Sequence, residues 1–529
     1  MQRPGVLQTV YSDTTRHFPE TNMLQEAPLA LRLNANDDVV IACRDLAAGT
    51  LLMREDVRCV ERIPSGHKVA TRPIGVGQPV RRYNQIIGFA SMPIEPGQHV
   101  HVHNLAMRDF DRDYAFCADY QPVTKISNPA TFMGYVRENG GVATRNYIGV
   151  ISTVNCSATV TKAVSDYFNR GGLADFPNID GVVGIKHSSG CGMGASGEPI
   201  EVLRRTLGGF ATHPNFAGVV LIGLGCEANQ MSAFMLSQGF KDGPLLHTMT
   251  IQDTGGTTKT IHEAIERVKS MLPYANAAKR EPVPASHLIL GCECGGSDGY
   301  SGITANPALG AAVDLLVKHG GTGILAETPE VYGAEHLLTR RAVSREVGEK
   351  LIRRIHWWED YTTKLGGEMN NNPSPGNKAG GLTTILEKSL GAVAKGGTTA
   401  MMDVYEYAEK VTAKGFVFMD TPGYDPVSVT GLVAGGANVV CFTTGRGSAF
   451  GCQPTPSIKL ATNSPLYHKQ TEDMDINCGD IVDGNASVEE VGERVFNYVL
   501  EVASGKRSKS EEHGYGQDEF LPWVLGPTM

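Results

Sequence analysis

Four cysteines in this 529-residue chain sit in like surroundings. Cys156 lies in YIGVISTVNCSA, Cys191 in GVVGIKHSSGCGMG, Cys226 in GVVLIGLGCEANQ and Cys294 in HLILGCECGGSDG. Each follows an apolar run that reads as a buried strand, and three of the four loops are rich in glycine. Ligands in open α/β sheets bind outside the carboxyl ends of the strands, so four such loops can bring their thiols to one point. Gathered thiolates suit zinc, iron or an iron–sulfur cluster, and a single one can serve as a nucleophile. Paired cysteines at zinc-ribbon spacing are absent, which favours ligands drawn from successive loops over a local knot. The bland alternative is that cysteine is a small residue that is often buried, and Cys43, Cys59, Cys117 and Cys441 carry nothing beyond it.

The histidines form a second set. His99, His101 and His103 alternate in QHVHVHN. On a strand they share one face, where imidazoles can bind a divalent metal or hold a proton near neutral pH. The polar outer face of an edge strand produces the same alternation. His67, in PSGHKVA, is a candidate base or ligand, and His187, in GIKHSSGCG, sits at a strand end within reach of the Cys191 loop.

Several loops offer handles for an anion. In NNNPSPGNKAGGLTTILEKSLG, Asn377 and Lys378 stand just before a helix start, whose amides together with a lysine suit a carboxylate or phosphate. FTTGRGSAFG presents Thr444 and Arg446 after a strand, where arginine can grip a carboxylate with two hydrogen bonds. A solvated surface arginine is the alternative there. Arg145 and Asn146, in a turn before a strand, and Ser297 and Asp298, in the loop after Cys294, complete the candidate substrate-binding set. The spacing of a Walker phosphate loop is absent, and GLGCEAN is only a fragment of a dinucleotide fingerprint.

The elements that must position these residues follow from texture. Ala30 to about Met107 shows short strands with recurrent turn signals, which predicts a small β-rich domain over residues 28–107 after a polar arm over 1–27. Residues 108–131 are charged and then proline-bearing, a linker. Apolar β-branched runs then alternate with helical patterns, so the expected class is α/β: a first α/β domain over 132–280 and a second over 281–529, both with mainly parallel sheets. The net charge of −9 and pI near 5.9 argue against a nucleic-acid or membrane-surface binder. No apolar leader or membrane-spanning run is evident, so the expected compartment is the cytoplasm and the expected cysteine state is reduced or metal-bound.

Six segments in order, ENGGVATRNYIGV, HSSGCG, GLGCEANQ, ECGGSDGYSGITANPALG, NPSPGNKAGGL and FTTGRGSAFG, together resemble the altronate/galactarate dehydratase family. The resemblance runs from about Ala30 to about Lys506, and the β-rich front resembles that family's SAF-type domain. It implies a hydro-lyase that converts a sugar acid to a 2-keto-3-deoxy acid in a metal-dependent reaction. GQHVHVHN and ITANPALG lean toward the altronate branch, with galactarate or another aldonate or aldarate as the alternative. His67 or His187 is then the expected base, and Lys378, Asn377 and Arg446 would hold the far end of the substrate. Two metal arrangements are open. One is Fe2+ or Mn2+ on His101, His103 and Glu327; the other is an iron–sulfur cluster on Cys156, Cys191, Cys226 and Cys294. The expected partner is a small sugar acid, and the expected assembly a homodimer. A thiol-nucleophile enzyme and a sugar-acid sensor without turnover are the remaining classes.

Overall fold

The computed structural model describes residues 28–108, 110, 112 and 114–528. The arm expected over residues 1–27 lies outside them. Ala30–Leu31, Val39–Ala42, Lys68–Ala70 and His99–Val100 form an antiparallel four-stranded sheet, with His99–Val100 at its edge. Pro79–Arg82, Gln85–Ala90 and Leu105–Ala106 form a three-stranded one. Tyr83 and Asn84, at φ 60° and 58°, turn the hairpin between the first two of these strands. Two left-handed residues in succession match the natural twist of a two-stranded ribbon. Val40, Leu46, Leu52, Ile63 and Val69 fill the small core.

Thr131–Val136 and Arg280–Pro284 then pair antiparallel, from Thr131 opposite Pro284 to Tyr135 opposite Arg280. Between them the chain builds a parallel sheet from β1 (Tyr147–Ser152), β2 (Gly181–Ile185), β3 (Phe216–Gly223) and β4 (Leu246–Thr250), in the order β2-β1-β3-β4. Every residue of β1 and β3 is buried. Both faces are covered, by helix Glu198–Ala211 on one side and by Ala158–Tyr167 and Thr257–Ala277 on the other. That is why these strands read as unbroken apolar runs and not as alternation.

The last domain is a seven-stranded parallel sheet of β5 (Ile289–Cys294), β6 (Thr322–Leu325), β7 (Met401–Tyr405), β8 (Gly415–Met419), β9 (Val439–Thr444), β10 (Ser457–Ala461) and β11 (Ile476–Asn477). Its order is β7-β8-β6-β5-β9-β10-β11. The chain starts at the central strand, builds one side, then crosses back and builds the other. The reversal falls between β5 and β9, the place where open α/β sheets part their loops to make a crevice. Among the described residues, no helix is long and apolar enough to cross a membrane.

The middle domain packs on the last one through helices Glu198–Ala211 and Asp425–Ala434, where a Cβ on Gly209 would lie 2.2 Å from the Ala434 carbonyl oxygen. Buried polar bonds cross the same seam: Thr144 Oγ1 donates to Asn438 O at 2.7 Å, His213 Nε2 to Ala437 O at 3.0 Å and Asn215 Nδ2 to Pro454 O at 2.9 Å. The final segment returns across the last domain, with the Trp523 ring stacked 5.3 Å from Trp358.

The N-terminal domain is held to the large sheet by buried charge. Lys68 Nζ donates to Glu387 Oε2 at 2.9 Å and to Gly381 O at 2.6 Å. Arg82 donates to Glu387 Oε1 at 2.6 Å and to Gly299 O at 2.7 Å. Burial pulls the Glu387 carboxyl upward, but Lys68 and Arg82 outweigh it and hold it near 2, against an ordinary 4.5.

Two stability predictions follow from these seams. Gly209→Val should lower the melting temperature by the equivalent of about 1–3 kcal/mol, as overpacking does, whereas Gly243→Ala, with nothing within 4 Å, should stay within about 0.5 kcal/mol. Glu387→Gln should cost about 3–5 kcal/mol, because two buried cations lose their counterion. The folded pKa lies below the unfolded one, so this carboxylate stabilises fully above about pH 4.5 and its contribution is lost as pH falls toward 2. Melting temperatures followed downward from neutral pH should therefore converge for wild type and variant in acid.

Candidate active site

The loop leaving β5 crosses to the loop leaving β9: Gly295 N donates to Thr443 O at 3.1 Å and Gly445 N to Gly296 O at 3.0 Å. Asp298 is locked at this crossing. Its carboxylate accepts from Thr462 Oγ1 and Asn463 Nδ2, both at 3.0 Å, and from Ser301 N at 2.9 Å. Ser297 offers its carbonyl to Asn377 Nδ2 at 2.9 Å, and Asn377 closes a capping box with Ser374 at the start of helix Pro375–Ala379. Thr444 Oγ1 accepts from Gly447 N at 3.0 Å. The side chains of Asp298, Asn377 and Thr444 and the carbonyl of Ser297 shape the loops, and Arg446 is exposed beside them with no hydrogen-bond partner among the described residues. A cavity of 420 Å³ opens here, lined by Ser65, Asp298, Tyr300, Gly380, Arg446 and Asn463. Lys378, half-buried, lines a neighbouring cavity of 790 Å³ with Arg108, Tyr332 and Thr384.

The N-terminal domain roofs this edge with imidazoles. His67 Nδ1 lies 2.9 Å from His99 Nε2, and His67 Nε2 3.3 Å from the Ala379 carbonyl. The His101 ring is 5.0 Å from His67 and 5.2 Å from His99. The expected strand of alternating histidines ends after Val100 and turns through Asn104. Asn104 donates to His99 O at 2.9 Å and accepts from His101 N at 2.9 Å. The clustering therefore comes from a turn pinned by asparagine, and it adds His67, while His103 is exposed at the rim with its ring 5.6 Å from His99. Burial first, then neighbouring positive charge, lowers His67 and takes His99 to about 3 and His101 to about 4. The rings are thus neutral at neutral pH, the form that ligates a metal or accepts a proton. His101 Nδ1 is buried without a hydrogen-bond partner.

Behind the β5 and β6 ends lies a buried cluster of acids, lysines and one thiol. Cys294 Sγ is 2.9 Å from Lys395 Nζ, 3.4 Å from Glu327 Oε2 and 3.2 Å from Glu330 Oε2. Lys395 also pairs with Glu327. Lys388 Nζ donates to Glu330 Oε1 at 2.6 Å and Asn372 Nδ2 to the same oxygen at 2.8 Å. Glu293 Oε2 accepts from Ser428 Oγ at 2.7 Å, while Glu293 Oε1 and Glu327 Oε1 are buried with no donor among the described residues other than a proton shared between the two acids. The ligand atoms of Cys294, Glu327 and Glu330 lie within 4.8 Å of one another, as do those of Glu293, Glu327 and Asp425. Glu327 takes a left-handed backbone at φ 66°, a conformation that costs a non-glycine residue of order 1–3 kcal/mol and collects at functional sites.

Charge is uneven in this cluster. The four carboxyls of Glu293, Glu327, Glu330 and Asp425 face the two ammonium groups of Lys388 and Lys395, an excess of two negative charges when all are ionised. Burial, then Glu327, pushes Glu293 up, and burial with Glu327 and Glu330 pushes Asp425 up to about 7. Burial pulls Glu330 the same way, but Lys388 and Lys395 outweigh it and hold it low. Sequence reasoning named Cys294 and Glu327 here and missed Glu293, Glu330, Lys388, Lys395 and Asp425. The available signal was Glu293 itself, a charge inside an otherwise apolar strand.

The remaining candidates sit elsewhere. Cys156, Cys191 and Cys226 follow β1, β2 and β3 and are exposed, whereas Cys294 is buried on the other sheet, so the expected meeting of all four thiols does not occur. Glu327 likewise groups with Cys294 and not with His101 and His103. His187 spends both ring nitrogens on the backbone: Nε2 donates to Ser152 O at 3.0 Å and Nδ1 accepts from Ser189 N at 3.2 Å. Arg145 is buried, with Nε and an Nη on the Glu511 carboxylate at 2.6 and 2.8 Å. Asn146 Nδ2 donates to Asn178 O and Ala275 O at 2.7 and 2.9 Å. Arg145 ties the middle domain to the last one, His187 and Asn146 bond within the middle domain, and none of the three is gathered at the crevice.

Comparison with known proteins agrees with this architecture. Residues 28–108 match the profile described as altronate/galactarate dehydratase SAF domain, 134–276 the D-galactarate dehydratase/altronate hydrolase second domain, and 285–528 the D-galactarate/altronate dehydratase C-terminal domain. The chain is 34% identical to an altronate dehydratase of Bacillus subtilis (strain 168), over 94% of this chain and 99% of that one. It is 37% identical to the galactarate dehydratase (L-threo-forming) of Escherichia coli (strain K12), over 91% and 94%. It is also 30% identical to the beta subunit of a (2R)-sulfolactate sulfo-lyase of Chromohalobacter salexigens, over 73% and 95%. With an SAF domain in front, the second domain in the middle and the C-terminal domain behind, the chain belongs to the galactarate/altronate dehydratase family.

Proposed function

We propose that this protein is a divalent-metal-dependent hydro-lyase that converts D-altronate to its 2-keto-3-deoxy acid and water. Galactarate is the runner-up substrate, since identities of 34% and 37% to the two kinds of relative do not separate them. The observation that carries the reading is the buried carboxylate excess at the carboxyl edge of the sheet, with Asp425 packed against Gly295 and the exposed Arg446 against Gly296 of the same loop. The residues fit a divalent cation: Glu293, Glu327 and Asp425 offer oxygen, Cys294 and Glu330 stand against the same Glu327, and two positive charges would cancel the excess. A thiol among oxygens favours Fe2+ over Mn2+. Such an ion, when bound, supplies Lewis acidity toward a substrate carboxylate and its neighbouring hydroxyl.

The chain's own residues supply the rest. Arg446, exposed at the cavity, holds the far end of the sugar acid, and Lys378 reinforces that field from the adjoining cavity. His67, neutral at neutral pH, takes the α-proton on Nε2 once substrate displaces the 3.3 Å contact to the Ala379 carbonyl, with Nδ1–H then donating to His99 Nε2. Loss of the β-hydroxyl leaves an enol that tautomerises to the ketone. The SAF domain closes the crevice and limits water. A thiol-nucleophile mechanism has less support, because burial followed by Glu327 and Glu330 holds the Cys294 thiol well above its ordinary range.

Turnover of a panel of aldonates and aldarates with Fe2+ added anaerobically should yield a 2-keto-3-deoxy product from D-altronate; no product from any sugar acid would sink the reading. Arg446→Ala should reduce kcat/KM roughly 10–100-fold, the loss of a charged hydrogen bond of about 1.5–3 kcal/mol, chiefly through KM. Glu327→Gln should lower bound iron and activity together; full activity in that variant would remove the metal from this cluster.

A further inference from the structure

Of the eleven cysteines, the three exposed ones are Cys156, Cys191 and Cys226. Free cysteine is ordinarily among the most buried residues, and an exposed thiol invites oxidation. All three sit just beyond the carboxyl ends of neighbouring parallel strands, β2, β1 and β3, which run about 4.8 Å apart. Their loops are joined. Asn155 N donates to Ser189 O at 2.9 Å, and Asn229 N to Gly190 O at 3.0 Å. Asn229 Nδ2 donates to Thr153 O at 3.2 Å. Each of these bonds is made within three residues of one of the cysteines.

The junction is also stiff. Gly190 has φ +96°, and a Cβ there would lie 2.5 Å from Thr153 O, so only glycine lets these loops touch. The buried Glu227 carboxylate accepts from Gly225 N at 2.6 Å and Thr153 Oγ1 at 3.2 Å, which fixes the turn carrying Cys226. His187 fixes the loop before Cys191 through Ser152 and Ser189.

The spacing discriminates between occupants. Three thiolates on one zinc ion, with Zn–S about 2.3 Å, would stand about 3.8 Å apart. The three sulfurs here do not all lie within 4.8 Å of one another, whereas the Cys294 and His67 groups do meet that limit. A cuboidal cluster is several ångströms across and holds its thiolates further apart than a single ion does.

We propose that Cys156, Cys191 and Cys226 together hold a four-iron, four-sulfide cluster at the rim of the middle sheet, with its remaining iron open to an oxygen ligand such as a carboxylate or hydroxyl. Cys294 is not its fourth ligand, because it lies buried on the other sheet beside Lys395. This site is separate from the carboxylate cluster, and its test does not depend on turnover.

The full chain is reconstituted anaerobically with ferrous iron and sulfide, desalted, and assayed for iron, acid-labile sulfide and visible absorption. Wild type and Cys294→Ala should keep the sulfide and the colour. Cys156→Ser, Cys191→Ser and Cys226→Ser should each lose most of both. Alkylation of the wild-type chain before and after reconstitution, mapped by peptide mass, should show these three thiols protected together, a readout that needs no variant to fold. Wild type without retained sulfide, equal alkylation before and after, or loss of the cluster in Cys294→Ala with retention in the serine variants would each overturn the proposal.

Discussion

A single buried carboxylate, Glu387, gathers both cations that the N-terminal domain sends into the large one. It is buried between Lys68 and Arg82, both from the N-terminal domain, and the same two cations reach the carbonyls of Gly381 and Gly299, on two loops that are themselves joined by the bond from Gly299 N to Gly380 O. Desolvating three charges is costly, and the pairing recovers that cost only while the geometry holds. The small domain is therefore docked in one orientation. A greasy contact of equal area would permit sliding, and the imidazoles would then lose their place over the Ala379–Gly381 loop.

Two chemistries of negative charge stand behind that roof. Asp298 is fully satisfied by hydroxyls, amides and backbone, so its role is to set the β5 and β9 loops. Glu293 and Glu327 each keep a buried oxygen that no donor among the described residues meets, apart from a proton the two acids share. Strain at Glu327 points the same way, since an unfavourable backbone persists only where surrounding structure enforces it. A satisfied acid that builds the wall thus stands apart from crowded acids that two lysines only partly neutralise, and the proposed metal site rests on that contrast.

Much of the fold was legible. The runs GVVGI, GVVLIGLG, SHLILG, TGILAE, GFVFMD and NVVCFTT are all strands, because strands covered on both faces must be continuously apolar. β10 escaped notice because Lys459 interrupts it, and that lysine is buried with Nζ on Phe450 O at 3.0 Å. The site was legible in part. Strand-end placement located Cys156, Cys191, Cys226, Cys294 and Arg446, but the same local signature occurs on two sheets, and a single sequence does not say which sheet a strand joins. Lys388 and Lys395 look like ordinary helix surface until the fold buries them. Arg145 and His187 were singled out for their residue types and loop positions, and both are consumed by backbone and by Glu511.

The strands at 131–136 and 280–284 lie side by side, so the chain leaves the middle domain where it came in. Topologically that domain is a cassette: its removal would leave two ends already hydrogen-bonded and easy to rejoin. Energetically it is not one. Thr144, His213 and Asn215 would strand their partners on Asn438, Ala437 and Pro454, and Gly209 would leave a notch against Ala434. The module is thus simple to excise in chain order and costly to lose from the folded protein.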